Sequence, residues 1–128
     1  MYESIFENLP GNPRWVGSFY ERLVEDAVWD KAEFWKLHLA LTEAGSASGS
    51  LKSINRELAW AVAKIQSRVL GVLAAHYNPN DIFVISNLAP DELCQFIERF
   101  DHAVLGVFSG EVPAESSYDL INPLIGVA

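Results

Sequence analysis

One stretch narrows the choice of fold more than any other: Ser53 to Tyr77, SINRELAWAVAKIQSRVLGVLAAHY, which has no Pro and a single internal Gly. Ile54, Leu58, Ala61, Ile65, Val69, Val72 and Ala75 recur at steps of three and four, the spacing that gathers side chains on one side of an α-helix. Ser53 reads as an N-cap and Glu57 puts negative charge in the first turn. Asn78-Pro79 ends the run, because the residue before a proline is pushed out of the helical region. Such a helix is roughly 36 Å long. Its second half, VLGVLAA, is apolar on every side, and a helix apolar all round has to be surrounded. The pattern predicts a central helix against which the others pack.

Three further helices fit around it. Asn12 as N-cap and Pro13 at the first helical position open RWVGSFYERLVEDA, with Val16, Phe19, Tyr20, Leu23 and Val24 as its buried stripe and Gly17 inside it as the mark of a close helix contact. Asp30 and Glu33 form a capping box for DKAEFWKLHLALTEA, which Gly45 ends. Phe34, Leu37, Leu41 and Ala44 share one face of that helix, while Trp35 and Leu39 lie elsewhere, so it is expected to be sandwiched. Pro90, Asp91 and Glu92 start the last helix, whose stripe runs Leu93, Phe96, Ile97, Phe100, Val104, Val107 and Phe108 before Ser109-Gly110 closes it.

Between these lie GSASGSLKS, a polar loop, and Ile82 to Ile85, a packed irregular segment rather than a strand without a partner. The tail from Glu111 is punctuated by Pro and ends in INPLIGVA, apolar enough to dock. The expected fold is all-α: residues 1–128 form one domain, a helical bundle of about four main helices around the central one. The single cysteine, Cys94, reads as a small buried hydrophobe. No cysteine pair, no signal-peptide pattern in MYESIFENLP and no apolar run of about 18 residues make the cytoplasm the expected location.

A net charge of -8 is unevenly placed. Residues 1–50 hold eight acids against Arg14, Arg22, Lys31 and Lys36, and the last 28 residues hold Asp101, Glu111, Glu115 and Asp119 with no base. Nucleic acid and anionic membrane, both polyanions, are poor partners for such a chain, whereas a basic protein would be attracted. Lys52, Arg56, Trp60, Lys64 and Arg68 fall at steps of four along the central helix, and ion pairs to neighbouring helices are their expected role.

Catalytic patterns are absent: the chain has no phosphate-cradling GxxxxGK[ST], no GxGxxG, HExxH, GxSxG or CxxC. His38, His76 and His102 come from three different helices, so neither a metal nor a cofactor is expected, and His76 reads as a cationic cap at its helix end. His76 with Asp81 as a hydrolytic pair rests only on nearness in sequence. The acids Glu21, Glu25, Asp26, Asp30 and Glu33 span one helix end and the next helix start, and so suit a negative patch.

Several strings together, Asn12-Pro13-Arg14-Trp15-Val16-Gly17-Ser18-Phe19, Phe34-Trp35, Arg56-Glu57-Leu58, His76-Tyr77-Asn78-Pro79-Asn80-Asp81, Glu98-Arg99-Phe100, Phe108-Ser109-Gly110-Glu111 and Asn122-Pro123-Leu124-Ile125, resemble an immunity-protein family of bacterial polymorphic toxin systems, the one numbered forty-one. The resemblance implies a small cytoplasmic protein, not an enzyme, that protects its producer by binding the toxic C-terminal domain of a delivered toxin. It brings no catalytic residues with it. On that reading the toxin-binding positions are the acidic sets Glu21, Glu25, Asp26, Asp30 and Glu111, Glu115, Asp119, with Trp35 as an aromatic anchor. A small-molecule-binding helical module, built on Trp15, Trp29, Trp35, Trp60, Phe83 and Phe100, is the alternative.

Overall fold

The helices at the centre of the bundle are the two whose backbones approach most closely. A computed structural model describes residues 2–125. It contains α1 (Glu3–Phe6), α2 (Phe19–Asp26), α3 (Lys31–Ser48), α4 (Arg56–Tyr77) and α5 (Pro90–Ser109), a 3-10 turn at Glu115–Ser117, and no strand among the described residues. The expected all-helical bundle therefore forms, but around α3 and α5 rather than around α4.

Local chemistry starts both central helices where the sequence predicts. Asp30 Oδ1 accepts the Glu33 N–H at 3.0 Å at the head of α3, and Pro90 occupies the first turn of α5. The two then run parallel. Lys31 Nζ meets Glu92 Oε2 at 2.9 Å at their N-terminal ends, while Gly45 faces Gly106 and Gly49 faces Gly110 at their C-terminal ends. A Cβ on Gly45 would lie 2.8 Å from the Gly106 carbonyl oxygen, a distance that only a missing side chain permits. Ser48 Oγ donates across the contact to the Val107 carbonyl at 2.9 Å.

Gly45 thus does not end the helix. It is a contact position inside α3, which continues to Ser48 into the segment expected to be a loop. At Gly17 the correction runs the other way. Its φ of 89° breaks the chain before α2, so Ser18 rather than Asn12 is the cap and Val16 is 84% exposed instead of buried.

Helix α4 packs on α1, α2 and α5 through Leu58, Ala61, Val62, Ile65, Val69, Val72 and Leu73. Asn55, not Ser53, caps it, accepting the Leu58 N–H at 3.0 Å. The expected enclosure of VLGVLAA fails: Leu70, Gly71 and Ala74 face solvent. Periodicity identified a buried side correctly, but total apolarity did not mean burial on all sides. The helix is long and apolar enough, by length and composition, to cross a membrane, although no continuous apolar run in the sequence suggests it.

Residues 82–85 are irregular, as expected, with Ile85 buried and Ile82 outside. His76 Nδ1 accepts the Ile85 N–H at 3.0 Å, so the side chain expected to cap α4 instead ties down the segment that follows it. Phe19, Trp29, Phe34, Trp35 and Phe96 form the aromatic heart of the core, with ring centroids from 4.8 Å for Phe19 and Trp29 to 5.6 Å for Trp29 and Phe96. Cys94 is exposed, against expectation, because α5 turns it away from the Leu93 and Phe96 side. In the tail Asn122 is fully buried and docks, whereas Leu124 and Ile125 remain largely exposed. The end of INPLIGVA, residues 126–128, lies outside the described residues.

The glycines give a paired test. Gly45→Ala forces a methyl against the Gly106 carbonyl and the Val112 side chain and should lower unfolding stability by about 1–3 kcal/mol in urea titration. Gly71→Ala meets nothing within 4 Å and should raise it by about 0.5–1 kcal/mol.

Candidate functional site

The sequence left open whether the two acidic sets adjoin, and the fold sets Glu111 far from the first of them. Glu21, Glu25, Asp26 and Asp30 lie on α2 and at the head of α3. Glu111 follows the C-terminal end of α5, where its carbonyl is beside Gly106. The 18 residues of α3 put about 27 Å between those ends. Several of these acids are already engaged. Glu21 Oε1 accepts the Gly17 N–H at 2.8 Å. Asp30 caps α3 and takes Arg22 Nη1 at 2.6 Å. Burial pushes its carboxyl up, but the Glu33 N–H and the Arg22 guanidinium outweigh this and hold it below the usual carboxylate range.

Glu25, Asp26, Glu111 and Asp119 remain exposed. Trp35 does not: it is 6% exposed, packed between Phe34 and Phe96, and offers no surface to a partner. Its helix is sandwiched, as its pattern predicted, and sandwiching removes the anchor. Among the described residues Lys52, Arg56, Lys64 and Arg68 make none of the ion pairs expected of them.

What the sequence did not reveal is a buried polar cluster between α3, α5 and the tail. Arg99 is 2% exposed, and its Nη2 is bound to Glu115 Oε2. The same Nη2 faces His38 Nε2 at 3.0 Å. Its guanidinium carbon lies 3.7 Å from the centre of the Tyr118 ring, whose hydroxyl meets His102 Nδ1 at 2.8 Å. On the far side of His38, Asn122 Nδ2 faces Nδ1 at 2.9 Å and donates to the Trp35 carbonyl at 3.1 Å. Asn122 Oδ1 accepts the Leu124 N–H at 2.8 Å, which fixes the amide orientation. Glu115 Oε1 accepts the Asn122 N–H at 2.7 Å. The tail is thereby strapped into the groove between α3 and α5.

Both nitrogens of His38 face donors, yet a neutral imidazole has one lone pair to offer and an imidazolium has none. Burial first, and the Arg99 charge second, lower its pKa to about 4 against a smaller opposing pull from Glu115. His38 and His102 line the same small cavity with Arg99, Glu115 and Tyr118, a space of about 10 Å³, room for about one water. Arg99 Nε and Nη1 are buried and meet no protein acceptor. No group of three metal-capable side chains occurs among the described residues. The suggested pairing of His76 with Asp81 is not made: His76 holds Ile85, and Asp81 Oδ1 accepts the Phe83 N–H at 2.9 Å.

One signal for the cluster was present. Arg99 sits three residues after Phe96 and four before Ala103, a charge placed on the buried register of α5. Comparison with protein-family models, with curated proteins and with solved structures found no match.

Breaking the buried pair leaves a charge without a counter-ion. Arg99→Ala and Glu115→Ala should each cost about 3–5 kcal/mol in urea unfolding, and the double variant less than their sum. His38 makes stability depend on pH. Its contribution is full above its unfolded value of 6.5 and is lost as pH falls from there toward 4, since the unfolded chain takes up the proton first. The loss over that window should be about 3 kcal/mol. His38→Gln, which cannot titrate, should show a smaller fall in urea midpoint over the same range.

Proposed function

We propose that the protein is an immunity protein that binds a bacterial toxin domain one to one and neutralises it. What supports this reading is the resemblance that a set of strings spread from Asn12 to Ile125 bears to the polymorphic-toxin immunity family. Much of that set holds the fold. Asn12 Oδ1 takes the Arg14 N–H at 2.9 Å, Phe34 and Trp35 fill the core, Arg99 and Asn122 build the buried cluster, and Gly110 closes α5. Strings of this kind support a common scaffold rather than a common reaction.

The rest of the geometry favours recognition over chemistry on a substrate. The polar groups that converge are locked together around a space for one water, whereas Glu25, Glu111 and Asp119, and Asp26 with Arg22 3.9 Å away, lie on open surface. Exposed Glu25 and Asp26 at one end of the bundle, Glu111 at the other and Asp119 on the tail between them supply negative charge that would steer a basic toxin domain. The small-molecule reading has less to stand on, because Trp29, Trp35 and Phe100 fill the core instead of lining a pocket.

The test is calorimetric titration with the C-terminal domain of the toxin encoded beside this gene. Tight binding in one-to-one ratio, weakened by salt, is expected. Reversing Glu25 and Asp26 to Lys, and separately Glu111 and Asp119, should weaken it by about tenfold at the end that makes contact. Unchanged affinity in both variants removes these acids from the interface, and no binding by the parent overturns the immunity reading.

A further inference from the structure

Helix α4 has a second apolar side, opposite the one it buries. Trp60, Ala63, Ser67, Leu70, Ala74 and Tyr77 are all exposed and recur at alternating steps of three and four. That is the spacing by which one helix receives another. Trp60 is 60% exposed, Leu70 53% and Tyr77 56%. These large side chains stand among small ones, and a Cβ added at neighbouring Gly71 would meet nothing within 4 Å, so the face has both knobs and hollows.

Charge flanks this seam on one side. Lys64 and Arg68 follow its edge, Arg56 opens it, and Lys64 Nζ rests 5.4 Å from the centre of the Trp60 ring. Arg22, Lys31, Lys36 and Arg99 are each paired with a carboxylate. Among the described residues Arg56, Lys64 and Arg68 are paired with none, and the sole acid of α4 is Glu57. The helix carries a net charge of +2 in a protein of -8. Three desolvatable, unpaired cations beside an exposed apolar seam call for an anionic partner that also brings apolar side chains.

We propose that the outward face of α4 receives an acidic amphipathic helix of a partner protein, its apolar residues on Trp60 and Leu70 and its carboxylates on Lys64 and Arg68. A second copy of this chain fits poorly, because antiparallel α4 helices would set the two cationic edges against each other. Nucleic acid and anionic membrane meet the repulsion of the remaining surface. The proposal does not depend on whether the partner is a toxin.

The probe is a fluorescently labelled helical peptide with Leu and Ile at the seam positions and Glu on both edges, followed by anisotropy against the full chain at low and high salt. Binding that salt weakens is expected. Leu70→Glu should reduce it at least about tenfold, as should Lys64→Glu with Arg68→Glu. Leu70 and Arg68 face solvent and Lys64 is half-buried, and an unchanged urea midpoint verifies that the variants fold. Failure of the acidic peptide to bind overturns the proposal. So does equal binding of a peptide with Lys on its edges, affinity unchanged in both variants, or tighter binding of single-stranded RNA or of vesicles containing phosphatidylglycerol. A dimer in sedimentation that Leu70→Glu dissolves would assign the face to a second copy and equally overturn it.

Discussion

The close approach of α3 and α5 is the constraint on which the remaining arrangement depends. With Gly45 on Gly106 and Gly49 on Gly110, two parallel backbones touch where side chains would normally keep them apart. Parallel neighbours cannot be joined by a short turn, so the chain must travel the length of the bundle between them, and α4 is that return path. Its place outside the central pair follows from this geometry. One side of α4 is used to cover α1, α2 and α5, and the other is left to solvent although its residues are largely apolar.

The same pair creates the problem that the tail solves. Arg99 and His38 project into the groove between the helices, where a guanidinium is costly without a counter-ion. Glu115 supplies the charge, Tyr118 a ring face and Asn122 the link to His38 and the Trp35 carbonyl. Glu115, Tyr118 and Asn122 therefore complete the core from the tail, although Asn122 alone is buried among the described residues after α5.

Some features settled within a few residues were legible in the sequence, whereas the caps read at Asn12 and Ser53 moved to Ser18 and Asn55. The Asp30 cap, the Pro90 start and the Gly110 stop depend on neighbours along the chain and formed as expected. Glycine was the least legible residue, because it serves both for positive φ and for close contact. Gly17 uses the first property and Gly45 the second, and in each case the other had been expected. Periodicity showed which residues of α4 share a face but not how many faces find a partner. The Arg99 cluster joins positions as far apart as His38 and Asn122, a separation over which no local rule acts. Of the expected binding residues, Glu25, Asp26, Glu111 and Asp119 are exposed, while Asp30, Glu115 and Trp35 were assigned to the surface and are held by the fold.

Glu115 and Asn122 also follow all five helices in order of synthesis. Until they emerge, α3 and α5 can meet only with the Arg99 charge unneutralised between them. A chain stopped before Glu115 would possess every helix and still lack the ion that makes their contact tolerable. The last segment of the chain is what makes the pairing of the two central helices electrostatically complete.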